Sequence, residues 1–79
     1  MSKRFQVVIW RKDHAPIEID CKTLSIATKI GRRYIEECKE QEIVIEDSYI
    51  RAYFNEGNVG EYVVDYDIKW GYKVGEVVF

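Results

Sequence analysis

Few side chains in this sequence can do chemistry, and their spacing limits what that chemistry is. His14 is the single histidine. A nucleophile–base pair needs a base oriented by a third group, and a lone histidine with no neighbouring nucleophile does not provide one. Cys21 and Cys38 are the two cysteines, and with one histidine they form no metal-ligand cluster. They read as reduced thiols packed as small hydrophobes. Asp65 and Asp67 stand at i and i+2, on one face of a strand. Such a pair can hold a cation or protonate a substrate, but a solvated strand face has the same pattern. The five glycines are scattered as turn punctuation and make no phosphate loop. The sequence therefore predicts no catalysis, no metal and no cofactor.

What remains is charge and aromatic surface. Residues 1–33 carry eight basic side chains against Asp13, Glu18 and Asp20, a balance of +5, while residues 34–79 carry four against eleven acidic ones, a balance of −7. An asymmetry of this kind can mark a charged partner. One candidate is nucleic acid, gripped by Lys3, Arg4, Arg11, Lys12, Lys29, Arg32 and Arg33 with exposed aromatics stacking on bases. Against it stands a pI near 5.4, far from the basic footprint of such domains. The other candidate is a protein. Two tryptophans and six tyrosines exceed what so small a core can enclose, and these residues anchor interfaces.

Those groups must be positioned by a small number of elements. Phe5 to Trp10 is an apolar run of strand length, and Ile17, Ile19 and Cys21 alternate with charged residues after the break at Pro16, so the two read as a hairpin. Thr23 or Ser25 can cap a helix. From Leu24 to Glu40 the period becomes 3.6, with Leu24, Ile26, Ala27, Ile30, Gly31, Tyr34, Ile35 and Cys38 on one half of the wheel. Gly31 inside that stripe predicts a close approach of helix to sheet. The outer half is bipolar: Lys29, Arg32 and Arg33 precede Glu36, Glu37 and Glu40. The helix macrodipole prefers the reverse order. Pairs at i, i+4 (Arg32–Glu36, Arg33–Glu37) recover part of that cost. A local rule broken in this way suggests a face displayed to something charged.

After the helix, Glu42–Glu46 reads as a short strand, Asp47-Ser48 as a turn, Tyr49–Phe54 as a strand, and residues 55–58 as a further turn. Glu61 to Val74 alternates strictly, with Tyr62, Val64, Tyr66, Ile68, Trp70, Tyr72 and Val74 on one side. As one straight strand it would run about 46 Å, against a diameter of about 30 Å for a compact chain of this size. It must turn at Trp70-Gly71, bend, or overhang. An overhang would expose an apolar edge carrying Trp70, Tyr72 and Val74, and a homodimer is the common way to cover such an edge.

The architecture expected is one α+β domain over residues 1–79. It is an antiparallel sheet of four to five strands in the order ββαββ, with one amphipathic helix on one face and room for a further C-terminal strand. Apolar residues left on the other face (Val8, Trp10, Val44 and one side of Tyr49–Phe54) need cover. MSKR leads straight into FQVVIW with no apolar run of signal-peptide length, so the expectation is a cytoplasmic protein with no membrane partner. Functionally the chain reads as a non-enzymatic protein-interaction module. Its contact residues would be Lys29, Arg32, Arg33, Glu36, Glu37, Glu40, Trp70 and Tyr72. In type, though by no motif, it resembles small accessory proteins of phages and mobile elements that bind and modulate a host protein.

Overall fold

A computed structural model of the chain describes residues 2–55 and 61–78. Five strands and one helix follow in the order β1 (Ser2–Arg11), β2 (Ile17–Cys21), α1 (Leu24–Glu40), β3 (Ile45–Asn55), β4 (Glu61–Tyr66) and β5 (Lys73–Val78). All strand pairs are antiparallel, in the spatial order β2-β1-β3-β4-β5. The α+β class, the single helix and the additional C-terminal strand are as the patterning implies.

The helix starts and stops for local reasons. Thr23 is extended (φ −136°, ψ 158°) and its hydroxyl accepts from the Ile26 N–H at 3.1 Å, which satisfies one orphan donor of the first turn. At the other end, Glu42 adopts φ 58° and the Ile43 N–H returns to the Cys38 carbonyl at 2.8 Å. That left-handed residue reverses the chain. The expected strand from Glu42 is therefore corrected: residues 42–44 close the helix and connect it, and the strand starts at Ile45. The turn expected at Asp47-Ser48 does not form either. Asp47 lies opposite Trp10 and Ser48 opposite Ile9, inside a continuous β3. Pairing with the ten-residue β1 outweighs local turn preference, and the register shifts beside Trp10 and Arg11. The turn expected at residues 55–58 lies mostly outside the described residues.

The core forms between α1 and the sheet face carrying Phe5, Val7, Ile9, Cys21, Ile50 and Ala52. The helix packs over β1 and β3 and less over β2, while β4 and β5 run clear of it. Beside the helix, Phe54 stacks on Tyr62 at 4.8 Å and meets Phe5 edge-on at 6.4 Å. The buried helix stripe is centred on Ala27, Gly31 and Cys38. Ile26 is turned about 140° from Gly31 at 100° per residue, and is exposed instead of buried.

Gly31 allows a close approach, but to a turn and not to a strand. The chain from Asp67 to Tyr72 curls up from the end of β4 and inserts Ile68, 1% exposed, against the helix. A Cβ on Gly31 would lie 2.7 Å from Ile68 Cγ2. In an ordinary helix Gly→Ala gains about 1 kcal/mol, but overpacking a buried site costs about 1–3 kcal/mol. Gly31→Ala should therefore be destabilising, with a melting temperature several degrees below that of the parent chain.

The same turn resolves the Glu61–Val74 segment. The long axis of the molecule is 46 Å, well above the 30 Å expected, so length alone did not force a turn. Local chemistry did. The Asp67 carboxylate accepts from the Trp70 N–H at 2.8 Å, and Gly71 takes φ 74°, which a side chain would resist. β5 then folds back beside β4, with a register shift near Tyr66. The straight overhanging strand, which carried the expectation of a dimer, does not form.

Candidate functional site

The turn between β4 and β5 is the most conspicuous surface feature. Trp70 and Tyr72 in the turn and Val74 at the start of β5 are 64%, 69% and 65% exposed, at alternate positions in the sequence. The backbone of the turn is closed by hydrogen bonds. The Asp67 N–H donates to the Tyr72 carbonyl at 2.8 Å, the Gly71 N–H to the Asp67 carbonyl at 2.8 Å, and the Trp70 N–H to the Asp67 side chain. Beneath them Ile68 is anchored in the core, and Gly71 abuts Thr28 of the helix.

Arg32 ties this turn to the helix. Its Nε donates to the Lys69 carbonyl at 3.1 Å and its Nη2 donates to the same oxygen. The Lys69 ammonium lies 5.4 Å from the centroid of the Trp70 ring. Among the described residues neither Arg32 nor Lys69 is paired with a carboxylate. Two sequence-selected groups, Arg32 and Trp70, thus meet on one surface.

The rest of the bipolar helix face divides. Lys29, Arg33, Glu36, Glu37 and Glu40 are all exposed. Arg33 and Glu37 turn to the β2 side, where they line a depression with Ile19, Ile30 and Tyr34. The expected Arg32–Glu36 and Arg33–Glu37 pairs do not form among the described residues. Glu36 meets Lys39 at 3.7 Å instead, with both side chains about two-thirds exposed, a pair worth little.

The sheet face away from the helix supplies its own cover. Cross-strand register places Val8 opposite Tyr49, Gln6 opposite Arg51, and Arg51 opposite Asp65. Arg51 forms a two-pronged bond to Asp65 at 2.8 and 3.0 Å and lies 5.0 Å from the Tyr49 ring centroid. The Trp10 indole N–H donates to the Tyr49 hydroxyl at 3.4 Å, and Tyr53 lies beneath the Arg4 guanidinium at 4.7 Å. Val8 and Val63 are buried under this layer. The bonded Asp65 carboxylate holds the Arg51 proton even more firmly than usual. These are Trp, Tyr and Arg residues with satisfied partners, and that dependence on register hid them in the sequence.

The cations of the nucleic-acid reading do not share a surface. Arg4 lies on this open face with Asp20 at 3.9 Å, whereas Lys29, Arg32 and Arg33 lie on the helix side. Arg11 donates through Nε and Nη2 to the Ala15 carbonyl, in the loop that also carries Lys12. The side chain of Lys3 is outside the described residues. The carboxylate pair also separates. Asp65 is taken by Arg51, and Asp67 caps the turn. His14 sits in an exposed loop with Nδ1 2.8 Å from the Lys12 carbonyl. Among the described residues no group of His, Cys, Asp and Glu could hold a metal ion, and no helix is long and apolar enough to cross a membrane.

Both cysteines are free and buried. Burial, and secondarily the Asp20 charge, pushes the Cys21 thiol above its ordinary value. Thiolate is the reactive form, so Cys21 in the folded chain should label slowly at pH 8 and faster once unfolded. The raised value also means that any stability from the neutral thiol is present below the unfolded-state pKa and is lost as pH rises through the folded one. Rapid labelling of both thiols by an aqueous reagent under native conditions would contradict their burial.

Comparison with protein-family models, with curated proteins and with solved structures returns no match.

Proposed function

We propose that this chain is a non-catalytic, cytoplasmic protein-interaction module whose partner docks on Trp70, Tyr72 and Val74 with Arg32 and Lys69 beside them. The observation that carries the reading is that Trp70 and Tyr72 stand exposed on a turn closed by hydrogen bonds, with Val74 exposed beside them at the start of β5. Exposed apolar groups on a floppy loop would lose entropy on binding, whereas these are ordered beforehand. Tryptophan and tyrosine in such positions dominate interface energies. The two cations without carboxylate partners favour an acidic rim around an apolar pocket on the partner.

Two-fold association belongs to the same reading. β5 is an edge strand, and a second copy could pair its own β5 along that backbone edge. Sedimentation at tens of micromolar should then give twice the 9.4 kDa chain mass, and 9.4 kDa alone rejects self-association.

The test of the docking surface is capture of partners from lysate by the parent chain, Trp70→Ala and Trp10→Ala, read by mass spectrometry. A partner kept by the parent chain and Trp10→Ala but lost by Trp70→Ala supports the assignment. A partner kept equally by all three rejects it. Micromolar binding to oligonucleotides at low ionic strength, with a steep salt slope, would instead favour the nucleic-acid reading.

A further inference from the structure

We infer that the trough between α1 and the edge strand β2 binds an extended peptide of alternating apolar and basic residues, which adds a strand beside β2. The site is separate from the Trp70 turn, on the other flank of the helix. β2 ends the sheet, and among the described residues no strand pairs with its outer edge. An edge of this kind presents backbone N–H and C=O groups to an incoming strand.

The side-chain surface fits the same ligand. Because the helix sits over β1 and β3, the helix-facing residues of β2, Ile17 and Ile19, are only half covered. Two depressions follow, of about 370 Å³ beside Ile19 and Ile30 and about 290 Å³ beside Ile17 and Cys38, with Tyr34 and Glu37 shared between them. Ile17 and Ile19 are two residues apart on one strand, about 6.7 Å. Alternate side chains of an added strand have the same spacing, so residues i and i+2 of a peptide meet successive depressions.

Charge fixes the rest of the pattern. In the trough itself Arg33 and Arg11 each line one depression and Glu37 lines both, so the charges balance and it is Ile17, Ile19 and Ile30 that select apolar side chains there. On the opposite face of β2, Glu18 and Asp20 are exposed acids. An added strand places its intervening residues directly across from them, where opposite charges stabilise and like charges repel. The same acids argue against a second copy of β2 as the occupant, because two-fold pairing would bring acidic rows together.

The experiment is an NMR titration of the ¹⁵N-labelled full chain with the capped peptide Lys-Val-Lys-Ile-Lys-Val and its Glu-for-Lys counterpart. The lysine peptide should shift amides of Ile17–Cys21 and of the helix flank from Ile30 to Cys38, and slow hydrogen exchange along β2. The glutamate peptide should bind about tenfold more weakly. Glu18→Lys with Asp20→Lys should invert that order, and Trp70→Ala should leave it unchanged. Both replaced side chains are exposed and only Asp20 has an ionic contact, at 3.9 Å, so the variant keeps the fold, which its unchanged α1 shifts would verify. The inference is overturned by undisturbed β2 amides at millimolar peptide, by shifts confined to residues 67–74, or by the same peptide preference in the charge-reversed variant.

Discussion

Ile68→Ala should lower the stability of this chain by about 2–5 kcal/mol, the range for truncating a fully buried isoleucine. A domain of this size has a total margin of the same order, so the loss would show as a large shift of the urea midpoint. Ile68 belongs to a turn by backbone and to the core by side chain, since it is 1% exposed and clusters with Phe5, Val7, Ile9 and Ile50. It also faces Gly31, so the two positions are coupled. Gly31→Ala should be destabilising alone, but in the Ile68→Ala background the new methyl enters the space vacated and the helix propensity gain is recovered. Additive effects of the two substitutions would show that the turn does not pack where the structure places it.

Trp70→Ala is expected to do the opposite: little to stability and much to binding. The ring is 64% exposed, and its backbone amide still donates to Asp67 after truncation. Removing a central tryptophan from an interface costs 2 kcal/mol or more, about thirtyfold in affinity. Arg32→Ala is not a neutral control for this experiment, because Arg32 holds the turn through the Lys69 carbonyl. Arg33→Ala is the better control, as it lies on the β2 flank. Equal melting temperatures for the parent chain and Trp70→Ala, with a thirtyfold loss of partner affinity, would establish the distinction.

How much of this the sequence discloses depends on whether the cause is local. The bounds of the helix, Leu24 to Glu40, were legible, because a capping hydroxyl and a 3.6 period are short-range signals, although Thr23 and Ser25 both qualified as the cap and Ile26 was expected on the buried face. The first hairpin was legible for the same reason. β3 was not, because Asp47 and Ser48 favour a turn locally and are overruled by Trp10 and Ile9 across the sheet. The Glu61–Val74 alternation misled in a different way. Alternation runs unbroken through the sequence, but the chain leaves β4 after Tyr66 and turns, so Trp70 and Tyr72 lie in the turn and Val74 in the returning β5, all three exposed. Within the candidate site, Trp70 and Tyr72 were legible as an aromatic surplus. The task of Arg32 was not, since it depends on a contact 37 residues distant. The layer of Trp10, Tyr49, Arg51 and Asp65 likewise follows only from strand register.

Trp70 is the proposed anchor of the interface, and its own fluorescence tests that role. Trp10→Phe leaves Trp70 as the single tryptophan, so fluorescence then reports on that ring alone. In the free chain, emission should be red-shifted and readily quenched by acrylamide, as befits a side chain 64% exposed. Addition of the partner recovered by capture should shift the emission to the blue and protect it from the quencher. Binding of that partner with Trp70 emission and quenching both unchanged would show that Trp70 lies outside the interface.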